Sequence, residues 1–316
     1  MRKTLALLLA LVPFAAVSAA ETETIELRFA AVVGDKTFAC GQSYEHMGVT
    51  GSRITPSDLR FYVSRVELLD DRGQATPVQL DQDDLWQVEN LALLDFEDGT
   101  GPCHNGNPGL HTAITGTAPK GNYRGVRFTL GVPFDLNHAD PTIAPSPLNI
   151  SAMFWAWQSG YKFVKIDMAT SGQPQDAMGA ETSMKDRVAQ MERIAKAAKA
   201  APTDAPKPKP PQRAAGFSIH LGSTACASSS LTSPATECRN PNRVAVTFDH
   251  FDPATNVIVA DLGALVSDTN LDVNAPESAP GCMSGVDDAD CPVLMRAFGL
   301  PFGAQPAGQQ RFFRQR

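Results

Sequence analysis

Polar and apolar residues alternate along several short stretches of the chain, as they do in strands with one buried face. Glu23-Thr24-Ile25-Glu26-Leu27-Arg28-Phe29 is the first, and Leu59 to Leu69 repeats the pattern before Asp70-Asp71-Arg72-Gly73 ends it. Arg124 to Val132, Phe163 to Met168, Phe217 to Leu221, Arg243 to Phe248 and Asn256 to Asp261 complete the set. Short strands punctuated by Gly, Pro, Asn and Asp predict an all-β fold, a β-sandwich of the immunoglobulin-like kind. The stretches 99–119 and 135–150 lack the pattern and are expected to be long ordered loops, where sites tend to lie.

Three segments fall outside the sandwich. Arg2 and Lys3, the apolar run Leu5 to Val17 and the small residues to Ala20 form an export signal over 1–20, too short to span a membrane. Glu181 to Ala200 carries Val188, Met191, Ile194 and Ala195 at helical spacing. The proline- and lysine-rich stretch that follows, up to Arg213, reads as an extended tether. Together they make an insertion over about 171–215 in a single domain spanning 21–303. The tail 304–316, ending Arg311-Phe312-Phe313-Arg314-Gln315-Arg316, is expected to be disordered.

The formal net charge of −7 argues against nucleic acid as a partner, and no segment after the leader is long enough to cross a membrane. The chain has six cysteines. In an oxidising compartment an even number favours disulfides, with 15 possible pairings. Cys226–Cys238 and Cys282–Cys291 close short loops, which leaves Cys40–Cys103. There is no Cys-x-x-Cys-His, so the chain itself carries no c-type haem. Hydrolase elbows, His-Glu-x-x-His and phosphate loops are also missing, which moves weight from catalysis to binding.

Candidate chemistry concentrates in one place. Two of three tryptophans stand at Met153-Phe154-Trp155-Ala156-Trp157, which in an extended segment points both indoles to one face. His138 precedes this run and His220 follows it; His46, His104, His111 and His250 lie elsewhere. Imidazoles suit copper, and the Met153 thioether would favour Cu(I). Buried indoles, ordinarily hydrogen-bonded histidines and a gap-filling methionine are the bland alternative. Asp287, Asp288 and Asp290 beside Cys291 could hold calcium, although such runs are more often solvated loops.

Leu93-Leu94-Asp95-Phe96-Glu97-Asp98-Gly99, Gly131-Val132-Pro133-Phe134 with Leu136-Asn137-His138, Pro147-Leu148-Asn149, Met153 to Phe163, and His220 with Gly222-Ser223-Thr224 and Cys226 resemble, as a set, the metallo-mystery pair four-Cys family, which is MbnP-like. The resemblance runs from about Ile25 to Gly299 and does not extend to the 171–215 insertion. It implies a periplasmic copper-binding protein that is not an enzyme. The implied partner is a MauG-like di-haem cytochrome c peroxidase that oxidises a tryptophan to kynurenine. By the same resemblance Trp155 or Trp157 is modified, with a slight preference for Trp157, and His138 and His220 are imidazole ligands. A redox partner of a di-haem protein without tight metal binding is the competing expectation, and a purely structural sandwich a third.

Overall fold

A computed structural model describes residues 21–156, 159–171, 212–213, 216–230, 233–276 and 278–316. The leader, Trp157 and the body of the insertion, with its expected helix and tether, lie outside these residues.

The alternating segments pair into two large sheets. Strand β1 (Thr22–Val33) is central to the smaller one. The larger sheet is organised by β2 (Ser52–Asp70), long enough to serve several neighbours. Along one edge it pairs with β3 (Leu91–Asp95). β4 (Ala113–Pro119) returns to β1 in the smaller sheet, antiparallel. β5 (Tyr123–Leu130) then joins β2 in the larger one. After the short helix α1 (Phe134–Asn137), a hairpin of β6 (Phe154–Ala156) and β7 (Gly160–Thr170) brings β7 alongside β2. β8 (Gly216–Gly222) pairs with β7.

A separate two-stranded ribbon, β9 (Thr224–Ser228) and β10 (Ala235–Asn240), projects beyond β8. β11 (Val244–Phe248) closes the larger sheet beside β5, and β12 (Ile258–Asp261) runs parallel to β1 in the smaller. Helices α2 (Leu262–Val266) and α3 (Pro292–Ala297) and the short β13 (Gly281–Cys282), parallel to β8, follow. The all-β sandwich read from the alternation is therefore the fold.

Two expectations are corrected. The stretch 99–119 is not a loop throughout, because 113–119 is β4. Its inward positions are Ile114, Gly116 and Ala118, and small residues and threonines give a weak apolar signal. The tail is not disordered. Phe313–Gln315 forms β14, antiparallel to β12, at the edge of the smaller sheet. Its Phe313 ring sits 5.4 Å from Phe61 and 5.3 Å from Phe128, both in the larger sheet. Phe29 of β1 meets the same two rings at 6.2 and 5.9 Å. Such edge-to-face contacts add to the area each ring buries. The tail's charged neighbours hide the fact that two phenylalanines there complete the layer between the sheets.

The disulfides are Cys40–Cys103, Cys226–Cys238 and Cys282–Cys291, the pairing that loop lengths favoured. Among the described residues, no helix is long and apolar enough to cross a membrane.

Phe313→Ala should lower the unfolding free energy by about 3–5 kcal/mol, the cost of emptying a buried aromatic site. Urea denaturation of the disulfide-intact protein measures this. A loss below about 0.5 kcal/mol, usual for surface positions, would mean that the tail does not close the core.

Candidate metal centre

Side chains of neighbouring strands that share a register position stand on the same face of a sheet. In the larger sheet one such row is Leu94, Phe61, Val164 and Leu221, all buried in the core. The next row, one residue along, is Asp95, Arg60, Lys165 and His220 on the opposite face. This face is also largely shielded from water, with Arg60 only 1% exposed and Glu97 0%.

Charges buried in this way persist when each is paired and hydrogen-bonded. Arg60 Nε donates to Asp58 at 2.9 Å, and its Nη1 lies 3.4 Å from Glu97. Lys165 bridges Asp58 and Asp167. The Asp167 carboxylate reaches His220 Nε2 at 2.9 Å. Burial alone would raise the pKa of Asp167, but the His220 hydrogen bond and charge, with Lys165, hold it well below the usual carboxylate range. Asp95 behaves oppositely: burial and the neighbouring Glu97 push it up to about 7 despite Arg60. Burial and repulsion from Lys165 bring Lys162 down to about 8.

At the end of this row lies the first indole. Trp155 packs on bare backbone at Gly222, where a Cβ would come within 2.6 Å of the ring. Its ring centroid is 6.2 Å from that of His220, which stands two residues before Gly222 on the same face. The alternation that puts Lys165 and Asp167 on this face thus also supplies the partner that orients the imidazole.

His138 arrives from the other side, at the end of α1. Asn137 fixes that end to the Trp hairpin: its Oδ1 accepts from Tyr161 N at 2.9 Å and its Nδ2 donates to Ser159 O at 3.3 Å. Gly160 makes the approach possible, having φ +74° and lying so close that a Cβ would sit 2.2 Å from Asn137 O. The loop between α1 and β6 is bound to the sheet by Tyr62 and Tyr161, whose hydroxyls donate to Pro147 O and Leu148 O at 3.1 and 2.6 Å. Lys162 Nζ donates to Ala152 O at 2.7 Å. The buried His138 ring lies 4.8 Å from Phe134, and its Nε2 is 3.1 Å from Asn137 Nδ2 and 3.4 Å from Cys238 Sγ.

The sequence-predicted residues are therefore only partly united. Trp155 and His220 are neighbours, and the hairpin carrying Trp155 is clasped by the residue before His138. Trp157 lies outside the described residues. Met153 is 0% exposed and belongs to the hydrophobic core. His46, His104 and His250 are exposed, while His111 stacks on Trp86 at 5.3 Å. Asp288 accepts from Met283 N and Asp290 N, and Asp290 from Ala275 N.

Asp167, Asn137 and the approach of Cys238 to His138 were not read from the sequence. Polar residues at 165 and 167 within an apolar strand were the available signal for Asp167. The other two depend on contacts distant along the chain.

The family model described as MbnP matches residues 22–284. The solved structure of MbnP from Methylosinus trichosporium is similar, with 30% identity and a TM-score of 0.72 over 93% of this chain and 98% of that one. No curated protein matches.

Because Asp95 titrates near 7, the folded protein holds a proton between about pH 4 and 7 that the unfolded chain releases. That contribution to stability falls as pH rises through this window. Asp167 is shifted the other way, and its stabilising contribution is lost only at lower pH. Asp95→Asn should therefore gain on the native protein from pH 4.5 to 7, by at most about 1.4 kcal/mol per pH unit. Urea denaturation at the two pH values measures the difference. A difference that does not change with pH would contradict the shift.

Proposed function

This chain is a member of the MbnP family, and from that membership we propose that it is an exported, periplasmic copper-binding protein. In this reading His138 and His220 are imidazole ligands, and one indole of the Trp155–Trp157 pair is converted to a further donor. The observation that carries it is Trp155 beside His220, whose Nε2 meets Asp167, with the Trp155 hairpin clasped by Asn137 next to His138. Metal-ligating histidines commonly donate their second nitrogen to a carboxylate, which fixes tautomer and orientation. Asp167 on Nε2 does this for His220 and leaves Nδ1 as the metal-binding nitrogen. Two imidazoles suit copper, and Met153 is left out of the set because it fills the core.

An indole nitrogen is a poor metal donor. Oxidation by two equivalents of peroxide, through the haems of a MauG-like partner, would insert two oxygens and open the indole 2,3 bond. Water would then release the formyl carbon as formate. Kynurenine, the product, offers an aryl amine and a ketone. The chain is thus the partner's substrate rather than a catalyst, and copper is its cargo.

Matured protein titrated with Cu(I) against a competing chelator should bind it, and His138→Ala and His220→Ala should each lose binding while keeping the native circular dichroism. Asp167→Asn should weaken binding by roughly 10–100-fold, as loss of an outer-shell partner does. Unchanged affinity in both histidine variants would overturn the ligand assignment. Oxidised tryptophan without copper affinity would favour a redox partner of the di-haem protein instead.

A further inference from the structure

His138 Nε2 and the sulphurs of Cys226 and Cys238 all lie within 4.8 Å of one another. No other group of three such donors among the described residues contains a histidine. Cys226 and Cys238 are both half-buried, whereas Cys103, Cys282 and Cys291 leave at least one buried sulphur in each of the other bridges. The bridge joins directly opposed residues of the β9–β10 ribbon. That ribbon is held on either side of it without the sulphurs. Asn240 Nδ2 donates to Thr224 Oγ1 at 3.3 Å at the base, and Ser228 Oγ to Ser233 O at 2.6 Å near the tip. Ser223 and Asn242 tie the base to the sandwich through Pro241 O and Gly222 O. Opening the bridge would therefore leave the two cysteines facing each other beside the imidazole. Ala225, next to Cys226, has φ +52°, a strained conformation of the kind that collects at functional sites.

We propose that Cys226–Cys238 is a redox gate over His138, and that its reduced form is a second metal site with one nitrogen and two sulphur donors. A dithiol reductant supplies two electrons and two protons: the S–S bond breaks, two protein thiols form, and the reductant leaves as its own disulfide. The thiols lose their protons on binding a soft or borderline ion such as Cu(I) or Zn(II), for which two thiolates and an imidazole are a suitable set. Oxidation returns the electrons to an acceptor disulfide and expels the ion. The site shares His138 with the copper reading above, but needs neither His220 nor an oxidised indole.

The test uses full-length mature protein made without a di-haem partner, so that its indoles are intact. Mild anaerobic dithiothreitol treatment, alkylation and peptide mapping should show Cys226 and Cys238 opening before the other four. Reduced, desalted protein titrated with Co(II) should develop the near-ultraviolet thiolate-to-cobalt band at one equivalent. Cys226→Ser with Cys238→Ser should abolish that band. His138→Ala should weaken cobalt affinity at least tenfold, and His220→Ala should leave it unchanged. Earlier opening of another bridge, a band that survives the double serine variant, or indifference to His138→Ala would each overturn the proposal. Loss of Cu(I) binding by matured, oxidised protein in His220→Ala tests the other reading separately, so either can fail alone.

Discussion

A row of polar, ionisable side chains crosses four strands of the larger sheet, one residue away from a row of fully apolar ones. Asp95, Arg60, Lys165 and His220 form the first, and Leu94, Phe61, Val164 and Leu221 the second. Because side chains alternate between faces, a slip of one residue in any strand would drive a charge into the core and an apolar group out of it. The register of β2, β3, β7 and β8 is thus held from both sides. The charges also depend on one another: Arg60 and Lys165 share Asp58, Lys165 reaches Asp167, and Asp167 reaches His220. Removing one partner would leave its neighbour buried and uncompensated, which costs far more than the pair contributes.

The loops around the candidate metal centre inherit their order from this face. Tyr62, Tyr161 and Lys162 rise from β2 and β7 and hold the segment between α1 and β6 by its backbone carbonyls. Asn137 then sets the place of His138, and Gly160 and Gly222 allow backbone and indole to approach where any side chain would intervene. A site built from loops in this way gains the rigidity of the sheet without being part of its core. The sandwich behind the indole and imidazole is closed by Phe29, Phe61, Phe128 and Phe313.

Much of this was legible in the chain. The alternation in Leu59–Leu69 and Phe163–Met168 gave both the strands and the fold class, and cysteine spacing gave the pairing of the bridges. The tail was misread because its two core phenylalanines are embedded among arginines, and local charge outweighed them. β4 was missed because small residues and threonine carry little hydrophobic contrast. For the site, the motifs carrying Trp155 and His220 were visible in the chain, and these two residues are neighbours. The role of Asp167 was not, since it exists only once β7 and β8 are in register. Met153, a candidate donor by its place in the sequence, lies in the hydrophobic core.

The central claim is that one indole of the Trp155–Trp157 pair is a precursor, completed by oxidation, of a copper ligand. The mass of the peptide carrying Trp155 and Trp157, from protein produced with and without a MauG-like di-haem partner, tests it most directly. The account predicts a partner-dependent change at one of the two residues, equal to the loss of one carbon and the gain of one oxygen. Two intact indoles under both conditions would contradict it, and would leave His138 and His220 without the third donor on which the proposed site depends.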